Sequence, residues 1–200
     1  MSRRWLIFSI SSSLFFISQF FRVSNAVIAP MLLRDLSLDT EGLGLISASF
    51  FYAFALTQIP ISLFLDKVGP RNLMTALSAI GILGALVFSW ADSLALAVTG
   101  RVLLGAGMAC NLMGTFKLLT LWFSPRKFAT LMGVVAAIGT VGNMVATTPL
   151  VVLVENVGWR AGFQLIAAIN LFLTLVFYVV VCDPPAETPN KIDGGSSTGM

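Results

Sequence analysis

Long charge-free apolar stretches separated by short polar connections set the pattern of this chain. Residues 42–65, 72–91, 128–154 and 161–182 carry no charged side chain, and each reaches the ~20 residues with which an α-helix crosses a hydrocarbon layer. Two further stretches, about 5–33 and 94–121, are equally apolar but interrupted by cations: Arg22 in the first, Arg101 and Lys117 in the second. Lipid offers no hydrogen-bond partner to a bare backbone, so the pattern predicts six membrane-spanning helices. The ten-residue alternating strands of a β-barrel are not found. The expected fold class is therefore an all-α polytopic membrane protein. Connections run from two residues at Asp92 and Ser93 to the segment between Arg34 and Gly42, so consecutive helices are expected to be antiparallel neighbours.

Residues 1–182 read as one six-span bundle. After Cys182 the sequence turns to Asp183, Pro184 and Pro185 and then to a Gly/Ser-rich end from Gly194 to Gly199, so 183–200 reads as a flexible cytoplasmic linker. Arg3 and Arg4 precede an apolar run as they would in a secretory signal. The run continues through Arg22 towards Pro30 without a small-residue cleavage site, which is too long for one.

Composition removes most chemistry. Of 200 residues, 57% are hydrophobic and 10% charged, where a soluble domain carries roughly 25% charged. Twelve Lys and Arg against nine Asp and Glu are too sparse for a nucleic-acid face. The absence of histidine excludes imidazole bases, His-containing metal sites and Ser-His hydrolases, and two cysteines cannot form a Cys-only zinc site. With no paired carboxylates inside the spans, neither an enzyme nor a metal or cofactor site is expected. Cys110 and Cys182 fall in or at the inner edge of spans, where a disulfide is not expected.

Lys and Arg are distributed unevenly around the spans. With the N-terminus in the cytoplasm, the inner segments hold Arg3, Arg4, Lys67, Arg71, Arg126, Lys127 and Lys191, and the outer loops hold only Arg34 and Arg160. The positive-inside rule then places both termini in the cytoplasm.

The intramembrane cations are the candidate chemistry. Each costs about 2.5–3.5 kcal/mol on insertion scales near a helix centre. The spans contain no Asp or Glu to neutralise them, because Asp66 and Asp92 sit at span ends. An anion that comes and goes would supply the missing charge, and the planar arginine fork suits a carboxylate or phosphate. Arg22 lies ~26 Å from the inner edge of its span and ~15 Å from Leu32, too deep for easy snorkelling. Arg101, ~10 Å inside the outer end, could bind the anion or donate to backbone carbonyls of a neighbouring helix. Lys117, ~6 Å from the inner end, could bind the anion or snorkel. On a straight helix Arg101 and Lys117 face about 160° apart, so sharing one cavity requires a bend. Gly100, Gly107 and Gly114 form a smooth ridge for close helix approach. Gly139 and Gly142, with Asn143, Thr147, Thr148 and Pro149, make a softer, polar stretch in the fifth span, and Asn143 joins the substrate-binding candidates.

The connection Ser62-Leu63-Phe64-Leu65-Asp66-Lys67-Val68-Gly69-Pro70-Arg71 resembles the signature loop of the major facilitator superfamily. It matches at Asp66, Lys67, Gly69 and Arg71 and has Ser62 where glycine is usual. Arg101-Val102-Leu103-Leu104-Gly105-Ala106-Gly107 and Gly158-Trp159-Arg160 resemble two further motifs of that family; its antiporter-type glycine-proline motif is not matched by Gly139-Thr140-Val141-Gly142. Phe21-Arg22 through Pro30, with Leu43-Gly44, is similar to the start of organic anion and sugar-phosphate transporters. The resemblance implies a secondary active transporter of a small organic or inorganic anion working by alternating access, in a bacterial inner membrane. It implies that Arg22 binds the anion, that Lys117 occupies a position where a fourth-span cation occurs, and that Asp66, Lys67, Gly69 and Arg71 form a conformational latch. Family members have twelve spans in two halves, each a 3+3 inverted repeat. This chain then corresponds to the N-terminal half-bundle, completed by a missing six-span half or by a second copy. A non-transporting sensor or regulatory remnant is the other reading.

Overall fold

The computed structural model describes residues 3–181. The linker expected over 183–200, with Lys191, and Cys182 lie outside the described residues. The chain forms eight helices there: α1 (Arg3–Asp35), α2 (Thr40–Val68), α3 (Pro70–Ser89), α4 (Leu94–Met108), α5 (Cys110–Trp122), α6 (Pro125–Val145), α7 (Thr148–Val157) and α8 (Trp159–Val180). Among the described residues there are no strands. Six segments are long and apolar enough to cross a membrane, with α4 and α5 forming one of them, Leu94–Trp122. α1 is ~50 Å long against a ~30 Å hydrocarbon layer, so its ends project past the apolar region.

The fourth span is interrupted at Ala109. At Ala109 the N–H bonds Ala106 O at 3.4 Å instead of the carbonyl four residues back, which separates α4 from α5. The fifth span departs from the expected single helix over 128–154. α6 ends at Val145 and the chain passes Ala146 and Thr147 before α7 starts. Pro149 explains the break: it has no N–H to donate, and its ring would clash with the carbonyl of Val145 in a continuous helix.

α3 packs on α4 and α8, α2 on α4, and α1 on α5, α6 and α8. The glycine ridge makes the α3–α4/α5 contact: a Cβ on Gly100 would meet Phe88, on Gly107 would meet Gly81, and on Gly114 would meet Met74. α1 is stitched to α4 and α5 by polar groups. Thr115 Oγ1 donates to Ser11 O (3.2 Å), Asn111 Nδ2 to Leu14 O (3.3 Å), Ser18 Oγ to Met108 O (3.2 Å) and Arg101 Nη1 to Phe21 O (3.2 Å). Positions 11, 14, 18, 21 and 25 alternate steps of three and four, so one face of α1 makes every contact. Between helices in lipid, such bonds and close glycine packing replace the hydrophobic drive.

Candidate functional site

α1 places Arg22 and Asn25 one turn apart on adjoining faces, the arginine exposed and the asparagine buried. The Arg22 guanidinium carbon lies 5.5 Å from the ring centre of Phe51 and 5.9 Å from that of Phe54, both on α2. Both rings lie within the ~6 Å of a cation–π contact, which uses none of the guanidinium N–H donors. Arg22 makes no hydrogen bond or ion pair within the described residues. It borders a cavity of about 360 Å³ between α1, α2 and α4, lined also by Asn25, Ser47, Phe50, Phe51 and Arg101.

Arg101 forms the inner wall of that cavity and is 1% exposed. Its Nη2 donates to Asn25 Oδ1 at 2.7 Å and its Nη1 to Phe21 O, while its guanidinium stacks 4.4 Å from the Phe88 ring centre and 5.6 Å from that of Phe163. Asn25 Nδ2 in turn donates to Ser47 Oγ at 2.5 Å, and Ser47 Oγ donates to Leu43 O at 3.0 Å. Arg101 is thus a structural donor that links α4 through α1 to α2. The sequence reading missed Asn25, Ser47 and the two phenylalanines. An asparagine one turn after an intramembrane arginine was the available signal.

Lys117 does not join this cavity. Its Nζ pairs with Asp66 Oδ1 at 2.7 Å, so the expectation that no carboxylate reaches the intramembrane cations fails here. The reason is that α2 continues to Val68, past the apolar stretch, and carries Asp66 to the level of Lys117. Asn143 sits on α6, half-buried, next to Gly142, whose added Cβ would meet Phe16 O on α1. The Asn143 Oδ1 is buried without a partner, and Asn143 is not among the residues lining the Arg22 cavity.

In the signature loop, Gly69 takes φ 85°, a left-handed region that favours glycine, and Pro70 opens α3 directly after it. Gly69 has no side chain with which to cap α3, and Asp66 pairs with Lys117. Lys67 is exposed. Arg71 donates from Nε (3.0 Å) and Nη2 (2.8 Å) to Tyr178 O on α8 and lies 4.3 Å from the Tyr178 ring centre. At the opposite end, Trp159 Nε1 donates to Asp35 Oδ2 at 3.0 Å. Arg160 bonds the same oxygen at 3.3 Å and Ala91 O at 2.9 Å. No group of three potential metal ligands occurs among the described residues.

The described residues thus form a bundle of six membrane-length segments with a buried fourth-span arginine and a charged turn between the second and third. The chain belongs to the Major Facilitator Superfamily, whose family model matches residues 10–198. It is 27% identical to a probable sulfoacetate transporter, SauU, of Cupriavidus necator over 91% of this chain and 42% of that protein. To a hexuronate transporter of Bacillus subtilis it is 25% identical, over 84% of this chain and 40% of the relative. A crystal structure of a bacterial homologue of the human lysosomal transporter Spinster, inward-facing and unoccupied, superposes with a TM-score of 0.83 at 18% identity, covering 94% of this chain and 47% of that one. That likeness shows the fold. The chain spans less than half the length of each of these proteins.

Proposed function

We propose that this chain is one half of a secondary carrier that moves a small organic anion bearing a carboxylate or sulfonate by alternating access, with Arg22 as the anion contact. The observation that carries this reading is the state of Arg22: exposed, within cation–π distance of Phe51 and Phe54, and without a hydrogen-bond or ion-pair partner among the described residues. A guanidinium with its N–H groups unengaged offers two parallel donors to an anion. Arg101 is a positioning residue that fixes α1 through Asn25 and Phe21 O. Asn143 lies outside the Arg22 cavity, and its contact with the anion, made through the Nδ2 donor because the amide oxygen only accepts, requires α6 to move. Lys117 contacts the anion only when released from Asp66.

The Asp66–Lys117 pair and the Arg71–Tyr178 bonds tie α2 to α5 and α3 to α8 at the cytoplasmic end. With Gly69 and Lys67 they form a latch that holds this half as a rigid body while it rocks against the other half. The bundle lies in a cell membrane with both termini in the cytoplasm. A second six-helix half, or a second copy, completes the cavity wall opposite Arg22. Relatives named for sulfoacetate and hexuronate support an organic anion as substrate.

The test is uptake of labelled sulfoacetate or a hexuronate into proteoliposomes holding the complete carrier. Uptake should saturate and collapse in Arg22→Gln while the protein still inserts. Undiminished anion uptake in Arg22→Gln would refute the site, and binding without flux would favour a sensor.

A further inference from the structure

The two ends of the bundle differ in how many of their cations are engaged. At the end marked by Asp35, both cations are engaged: Arg34 bridges Asp35 at 3.1 Å, and Arg160 bridges Asp35 and donates to Ala91 O. Asp39, Glu41, Asp92 and Glu155 are exposed there. At the other end, Arg4, Arg126 and Lys127 are exposed and make no hydrogen bond or ion pair within the described residues. Asp66 is the one described carboxylate at that end, and Lys117 holds it.

Packing brings the elements that carry these three cations together. The Trp5 ring lies 5.4 Å from Phe123 and 5.9 Å from Phe8, which joins the start of α1 to the connection between α5 and α6. Arg4 adjoins Trp5 in sequence, and Arg126 and Lys127 lie in the turn of α6 that opens just after Phe123 and the extended Ser124. Both belong to the first turn of α6, which has no acidic residue and no side-chain cap. The positive end of the helix dipole repels cations placed there. An anion at this spot would relieve two unfavourable terms together.

The surroundings say which anion. Trp5, Leu6 and Leu121 are 37%, 38% and 41% exposed beside the cluster. Tryptophan favours the headgroup level of a membrane, with apolar side chains reaching the acyl region beneath it. A free phosphate has no use for that apolar rim; a phospholipid does. We propose that Arg4, Arg126 and Lys127, set around the Trp5–Phe123 ring pair, form a binding site for the headgroup of an anionic phospholipid.

The experiment is native mass spectrometry of the full protein mixed with equal amounts of phosphatidylglycerol and phosphatidylcholine. Each cation near an anionic surface is worth about fivefold in binding. Phosphatidylglycerol adducts should therefore exceed phosphatidylcholine adducts at least fivefold, fall to parity in Arg4→Gln/Arg126→Gln/Lys127→Gln, and persist in the control Lys67→Gln. Millimolar inorganic phosphate should leave the adduct in place. Parity in the unmodified protein, an unchanged ratio in the triple variant, or displacement by phosphate would each overturn the proposal. Should the triple variant not fold, brominated phosphatidylglycerol supplies a second readout. It should quench tryptophan fluorescence more than brominated phosphatidylcholine does, with the excess lost in Trp5→Phe; equal quenching overturns the site.

Discussion

Replacing Gly100 by alanine presses on the buried Arg101 without altering the arginine. An ideal Cβ on Gly100 lies 2.6 Å from Phe88 N, 2.7 Å from its Cβ and 2.8 Å from its Cα. That is ~0.8 Å short of ordinary van der Waals contact, and the obstacles are backbone atoms and the root of a side chain, which cannot swing aside. α3 and α4 must separate, or Phe88 must tilt. The Phe88 ring supports the Arg101 guanidinium at 4.4 Å and packs 5.0 Å from Phe163 and 5.5 Å from Trp159, so either response disturbs the wall of the Arg22 cavity. Overpacking costs about 1–3 kcal/mol, against about 1 kcal/mol gained because alanine suits a helix interior better than glycine. The net expectation is a loss of up to ~2 kcal/mol. Gly133 on α6, which has no heavy atom within 4 Å of an added Cβ, supplies the control: alanine there gains helix propensity and clashes with nothing. Subtracting the two variants isolates the packing cost of about 1–3 kcal/mol. Equilibrium unfolding of each in mixed micelles, followed by circular dichroism, measures it. Agreement of the two variants within ~0.5 kcal/mol would refute the close α3–α4 approach.

Other outcomes follow from the same geometry. Arg101→Lys cannot reach Phe21 O and Asn25 Oδ1 together, and the orphaned partner should cost about 1–3 kcal/mol in the same unfolding assay; a neutral result would remove the link between α1 and α4. A double-mutant cycle of Asp66→Asn and Lys117→Gln should give a coupling of only about 0.2–1 kcal/mol, because the pair is 71% and 36% exposed. Zero coupling would dissolve the pair, and several kcal/mol would mean that it is buried in the working assembly. Asp35→Asn weakens contacts to Arg34, Trp159 and Arg160 at once and should lower stability by about 1–2 kcal/mol; an unchanged unfolding midpoint would show that these contacts hold nothing together.

The spans and the oddity of their cations were legible because both are one-dimensional signals: runs without charge, and charges inside runs. The glycine ridge was legible for the same reason, since a seven-residue period needs no partner to be seen. Partners themselves were not. Asp66 reaches Lys117 only because α2 outlasts its apolar stretch by a turn. In the α1 seam, Leu14 and Phe21 contribute backbone carbonyls, and a carbonyl leaves no mark on residue type. The break in the fifth span had a signal in Pro149, but hydropathy alone carried the stretch through it. Asp35 and Trp159 meet from opposite ends of the chain, a contact that only the fold can bring about.

The reading of Arg22 as the anion contact stands or falls on equilibrium binding. Labelled sulfoacetate, or whichever organic anion the complete carrier takes up, should bind saturably to the purified protein. Arg22→Gln should weaken it by about 2–5 kcal/mol, at least ~30-fold, the loss expected when one member of a hydrogen-bonded charge pair is truncated. Phe51→Ala, which removes one of the two rings beneath the guanidinium, should fall between the two. Undiminished affinity in Arg22→Gln, with the fold intact, would place the anion elsewhere.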